Sequence, residues 1–170
     1  MKKVAQLFEQ FLRKRDLRFT RQRQEILRVM YGTHAHVSAD DLYEMLQRDA
    51  RSRALRISRA TVYRTLSLLA EGGFVEALDL GRDKGVLYEH TLGHEHHDHM
   101  ICLDCGRIYE FSDDALERAQ DRAVRREGFQ ASSHRLNVFG TCARCARKAA
   151  GKDASKDGGK DGGKDGAADG

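Results

Sequence analysis

The chain has 170 residues, enough for one or two small domains, and 30 Lys and Arg against 26 Asp and Glu leave a net charge of +4. It contains no apolar run of the ~18 residues a membrane span needs. Glu9, Gln10 and Arg13 break up any signal-peptide core, so a cytoplasmic location with no membrane partner is expected. The basic excess is uneven. Residues 1–30 carry nine Lys and Arg against three acids, and residues 48–64 carry six Arg against Asp49 alone, a distribution suited to a polyanion such as nucleic acid or to a solvated helix face.

In chain order, Val4, Leu7, Phe8, Phe11 and Leu12 recur at helical spacing and predict a helix over residues 4–15. Thr20 can cap a second helix through Tyr31, with Ile26, Leu27 and Met30 inward. Ser38-x-x-Asp41 has the form of a capping box and opens a third helix carrying Leu42, Met45 and Leu46. Ser58 starts a fourth, whose Val62, Leu66 and Leu69 form one stripe, and Gly72-Gly73 stops it. Two β-prone runs, residues 74–80 and 86–90, flank Gly81-Arg82-Asp83-Lys84-Gly85, a hairpin signal. Helices closed by a short hairpin describe a winged helix-turn-helix over residues 1–90.

Residues 99–103 and 107–111 then read as strands around a turn at 104–106. Ser112 is positioned to cap a helix over 113–127, and 130–139 returns as a strand. The expected class is therefore α+β: a winged helix followed by a small α/β domain over residues 91–150. Such a short segment is expected to draw part of its stability from metal or dimerisation. From Gly151 only Lys, Asp, Gly, Ala and Ser remain, and residues 151–170 are expected to be a disordered tail.

The densest chemistry lies between His94 and Cys105, where four histidines, three carboxylates and Cys102-x-x-Cys105 fall within twelve residues. A second pair, Cys142-x-x-Cys145, follows after 36 intervening residues. Paired cysteines in a reducing compartment favour metal over disulfide, and two such pairs complete a closed tetrahedral sulfur site for structural Zn2+. The histidine run is a different environment. Strand alternation sends His97 and His99 to one face and His96 and Asp98 to the other, giving two half-sets of mixed nitrogen and oxygen donors. Glu89, Glu110, Glu117, His134 and the pair His34/His36 are available to complete them, and such shells suit Fe2+, Mn2+, Co2+ or Zn2+. On the fourth helix, Arg59, Thr61, Tyr63, Arg64 and Ser67 lie off the apolar stripe and are of the types that contact base edges and phosphates.

Ser58-Arg-Ala-Thr-Val-Tyr-Arg-Thr-Leu66 and His96-His-Asp-His-Met-Ile-Cys-Leu-Asp-Cys-Gly106 closely resemble the ferric uptake regulator family, and the likeness runs from about Val4 to Cys145. The resemblance implies a homodimeric, metal-dependent repressor that binds a near-palindromic double-stranded DNA operator, through Arg23, Arg59, Thr61, Tyr63 and Arg64. It implies a structural zinc site at Cys102, Cys105, Cys142 and Cys145. It further implies a regulatory site at His36, Glu89, His97, His99 and Glu110, and an additional site at His96, Asp98, Glu117 and His134. The iron-sensing branch, with Fe2+ as regulator of iron-acquisition genes, is the most similar. Glu110 stands where the peroxide-sensing branch typically has Asp, and the full His-His-Asp-His run fits zinc- and manganese-sensing branches less well.

Three departures stand out. The family's proline before the Arg at the start of the second helix is missing, residues 48–56 are longer and richer in arginine, and the stretch from Glu89 to His97 is one residue longer. The last leaves Glu89, His90 and Glu95 as alternatives for one ligand. An enzyme reading, as a metal-dependent hydrolase or thiol oxidoreductase, finds no nucleophile motif, phosphate-binding glycine loop or His-Glu-x-x-His.

Overall fold

The computed structural model describes residues 1–81, 85–91 and 96–154, with side chains through residue 150. The chain divides into two compact units, Met1–His96 and His97–Gly170.

The first unit runs α1 (Lys2–Arg13), α2 (Arg21–Met30), β1 (Val37–Ser38), α3 (Ala39–Arg48), α4 (Ala50–Ala54), α5 (Arg59–Glu71), β2 (Val75–Asp79) and β3 (Val86–His90). Side-chain caps start α2, α3 and α5. Thr20 accepts from Arg23 N–H, Ser58 accepts from Thr61 N–H, and Ser38 and Asp41 close a reciprocal capping box. Gly72 caps α5, and Gly73, at φ +69°, turns the chain into β2 in the left-handed region that suits glycine. The stripe Val62, Leu66 and Leu69 is fully buried against Leu42, Leu46, Ile26 and Met30. Phe8 joins this core with Phe19 and Phe74 ring centroids at 5.7 and 5.1 Å. The antiparallel sheet has order β1-β3-β2, a helix-plus-wing arrangement.

In this first unit two elements lie outside the sequence expectation. β1 exists because Val37 and Ser38 pair with Tyr88 and Leu87. The short α4 is capped by Asp49, which accepts from Ser52 N–H at 2.9 Å. The hairpin residues 82–84, the run 92–95 and the tail 155–170 lie outside the described residues.

The second unit contains β4 (Asp98–Cys102), β5 (Ile108–Phe111), α6 (Asp114–Arg126), β6 (Asn137–Gly140) and α7 (Ala143–Ala154). β4 pairs antiparallel with β5 and parallel with β6. Three expectations change. Asp113 rather than Ser112 caps α6, its carboxylate accepting from both Ala115 and Leu116 N–H. The last strand covers only Asn137–Gly140, the stretch that finds a partner in β4. Helix α7, absent from the sequence expectation, begins within the second cysteine pair and runs through Ala154, four residues into the expected disordered tail, consistent with its alanine content.

Candidate metal centres

The cysteine cage is assembled by strand pairing. Cys102 ends β4, and Gly106, at φ +71°, closes the first turn with its N–H on Cys102 C=O at 2.8 Å. Parallel pairing places Gly140 opposite Cys102, so the chain leaving β6 delivers Cys142 beside the first turn. Cys142 N–H donates to Cys102 Sγ at 3.3 Å, and Cys105 and Cys142 sulfurs stand 3.9 Å apart. All four sulfurs lie within 4.8 Å of one another. A tetrahedron with Zn–S bonds of ~2.3 Å has sulfur–sulfur edges of about 3.8 Å, so the cage fits zinc.

Proton distribution supports the fit. The backbone N–H groups of Cys142 and then Cys105 stabilise the Cys102 thiolate and bring its pKa down to about 6. The Cys142 thiol is also lowered, mainly by the Cys145 N–H. Cys145 is driven up to about 12 because it shares its proton with Cys142 and then Cys105. A divalent cation at the centre relieves that repulsion among thiolates. Arg144, between the second pair, hydrogen-bonds the Cys105 sulfur and has its own pKa raised by it. Its place inside the Cys-x-x-Cys turn was the available signal for this contact.

In the first unit, His36 and Glu89 come together. The β1–β3 register pairs Val37 with Tyr88, so one step back sets His36 against Glu89. His36 Nε2 is 3.1 Å from Glu89 Oε2, and Glu89 is only 6% exposed. Glu76 of β2 lies opposite Glu89, placing a second carboxylate on that face. Its symmetry with Glu89 across the hairpin could have revealed it. His90 points to the other face of β3, stacks on Tyr31 with centroids 4.8 Å apart, and meets the His34 ring at 5.4 Å. Glu95 and His94 lie outside the described residues.

In the second unit, His97 and His99 rings meet edge to face at 5.0 Å. Glu110 lies opposite His99 in the β4–β5 ladder, and His97 and Glu110 have ligand atoms within 4.8 Å. Asp98 projects to the opposite face, where Glu117 of α6 and His134 join it with ligand atoms within 4.8 Å. His134 Nε2 and Glu117 Oε1 are 3.2 Å apart, and Asp98 is 1% exposed. His96 closes the first unit, two residues ahead of Asp98.

Along α5, Arg59, Tyr63, Arg64 and Ser67 are exposed. Thr61 is half-buried and tied into the cap, its hydroxyl 2.9 Å from Ser58 Oγ. Arg59 pairs with Asp40 and stacks over the Tyr43 ring at 4.7 Å. Arg23 of α2 is half-buried and donates to Arg18 C=O.

A winged helix followed by a unit rich in clustered metal donors defines a metal-responsive regulator. The family model for the "Ferric uptake regulator family" matches residues 14–139. The chain is 35% identical to the ferric uptake regulation protein of Campylobacter jejuni over 147 residues, covering 86% of this chain and 91% of that protein. The solved Helicobacter pylori ferric uptake regulator, with three functional metal binding sites, matches at TM-score 0.68 and 29% identity over 85% of this chain and 93% of that one. The Campylobacter jejuni peroxide stress regulator matches at TM-score 0.59 and 28% identity, over 80% and 97%. The chain belongs to the ferric uptake regulator family. It is accordingly a metal-responsive transcriptional regulator and not an enzyme.

Proposed function

We propose that the protein senses ferrous iron and, as a homodimer, represses iron-acquisition genes by binding a near-palindromic DNA operator. The observation that carries this reading is that, within the second unit, an all-sulfur cage is separate from clusters of histidine and carboxylate donors. The four cysteines hold structural Zn2+. His36, Glu89, His97, His99 and Glu110 form the regulatory set, whose nitrogen and oxygen donors suit Fe2+, with Mn2+ or Zn2+ as competitors. His96, Asp98, Glu117 and His134 form the additional set. The three metal sites of the Helicobacter pylori regulator support this division.

Residues 1–90 act as the DNA-binding domain, with Arg59, Thr61, Tyr63 and Arg64 on α5 and Arg23 on α2 as contacts. Residues 91–150 act as the metal-binding dimerisation domain. Tyr109, Met100 and Val138 form one cross-strand row, 38%, 43% and 45% exposed, an apolar surface suited to a second copy. Metal favours DNA binding only to the extent that it binds more tightly to the conformer able to place both recognition helices in successive major grooves.

The test is fluorescence anisotropy on an AT-rich inverted repeat, with Mn2+ standing in for oxygen-sensitive Fe2+. His97→Ala/His99→Ala is expected to abolish metal-dependent binding and to leave a folded, zinc-containing dimer. Unchanged metal activation in that variant overturns the assignment. A peroxide-sensing reading draws on the peroxide stress regulator as a structural neighbour, whereas Glu110 favours iron. Irreversible loss of operator binding after Fe2+-loaded protein meets hydrogen peroxide would select the peroxide sensor.

A further inference from the structure

Residues 48–56 contain four arginines and a single acid, Asp49. Buried polar contacts fix this segment in place. Ser52 is 1% exposed, and its hydroxyl donates to Glu25 Oε1 at 2.8 Å, where Arg28 also donates at 2.7 Å. Arg28 reaches on to Asp49 Oδ2 at 2.8 Å, and Gln22 Nε2 donates to Leu55 C=O at 3.0 Å. Helix α2 therefore grips α4 at its start, middle and end.

The same geometry decides where the arginines go. Since Ser52 faces α2, Arg53 lies about 100° round the helix from that contact and points away, whereas Arg51 on the other side reaches back to Glu25. Arg56 follows at φ +47°, between half-buried Leu55 and Ile57, the latter 3% exposed. Arg53 and Arg56 are both exposed. The nearby acids have other partners: Glu25 and Asp49 hold Arg28, Glu25 lies 3.4 Å from Arg51, and Glu44 holds Arg48 at 2.8 Å. Among the described residues this leaves Arg53 and Arg56 without an ion pair.

Two uncompensated guanidiniums thus sit on an anchored turn just ahead of Ser58, the N-cap of α5. When such a helix enters a major groove N-terminus first, the turn leading into it runs along the sugar-phosphate backbone. We propose that Arg53 and Arg56 form a phosphate-binding site on double-stranded DNA, beside the groove that α5 enters. This rests on the DNA-binding reading above. A guanidinium matches phosphate with paired N–H donors, and such contacts set register and affinity without reading sequence.

The test measures binding of full-length, Mn2+-loaded protein to an operator duplex and to a scrambled duplex of equal length across a salt series. Arg53→Gln/Arg56→Gln is expected to flatten the log–log salt slope by up to about 3.6, ~0.9 for each of four phosphates contacted by a two-fold dimer. Affinity should fall by the same factor on both duplexes. Arg53→Lys/Arg56→Lys keeps most of the slope, and Arg56→Gly, which removes charge while relieving the backbone, repeats half of the loss. Arg122→Gln on α6 serves as an unaffected control. A wild-type slope in the Gln double variant, or a loss confined to the operator, overturns the proposal. A wild-type protein without Mn2+-dependent operator binding overturns the DNA-binding reading and this site with it, whereas normal wild-type binding with an unchanged variant slope overturns this site alone.

Discussion

The two units are held together by different chemistry. In the first, Phe8, Leu12, Ile26, Met30, Leu42, Leu46, Leu66 and Leu69 are all fully buried and form one apolar cluster. Among the described residues of the second, those counted as buried are Asp98, His99, Ile101 and Cys102, three of which carry metal-ligand atoms. Its helix α6 buries none of its residues. The first unit can be stabilised by removing apolar surface from water. The second has little of that within a single chain, so bound metal or a second copy is expected to supply part of its stability.

The largest effect should come from the zinc cage. Structural zinc sites in small domains contribute ~10–16 kcal/mol of apparent binding free energy, more than a unit this poor in apolar core can lose. Stripping zinc with a strong chelator, or making Cys102→Ser/Cys142→Ser, is expected to remove amide-exchange protection from β4, β5 and β6 and to leave α5 protected. Hydrogen exchange read by mass spectrometry on the whole chain separates the two. Retained protection in β4 of the zinc-free protein would break the comparison.

The complementary perturbation is Leu66→Ala. It deletes a fully buried side chain at the centre of the first unit and should cost about 2–5 kcal/mol there. The denaturant midpoint of the first unit should fall while zinc content, measured per chain, stays at its wild-type value. Loss of zinc from this variant would show that the units do not separate energetically as described.

How much of this could be read from the sequence depended on whether the cause was local. The caps at Thr20, Ser38 and Ser58 and the stripe Val62-Leu66-Leu69 appear as expected because cap and stripe lie within one helix. The four cysteines come together as their paired spacing suggests. The misses have distant causes. β1 is defined by β3, some fifty residues on, and α4 has too few residues to show a period and is held by Glu25 and Arg28. The expected strand over 130–139 had suitable residues, but only Asn137–Gly140 found a ladder. The meeting of His36 with Glu89 depends on the same β1–β3 register, which is why family resemblance pointed to that pair and spacing alone left alternatives open.

The smallest effect is expected from acid, and it tests the polar part of the first unit. Glu25 has its pKa lowered below the ordinary 4.5, chiefly by the hydrogen bond from Arg28. Asp49 is brought down from 3.8 to about 2, first by the Ser52 N–H and then by Arg28. Both folded values lie below the unfolded ones, so the unfolded chain binds protons more readily in acid. The stabilisation is fully present above the unfolded values and is lost as pH falls from 4.5 toward 2. Protonation should therefore loosen α4 from α2 before the apolar cluster yields, seen as faster amide exchange at residues 50–55 while α5 stays protected. In Arg28→Leu both carboxylates lose their guanidinium, so this acid-dependent step should flatten. If residues 50–55 stay protected across the window, the α2–α4 contact rests on apolar packing at Leu55 and Ile57, and the first unit is more uniformly hydrophobic than its polar clamp suggests.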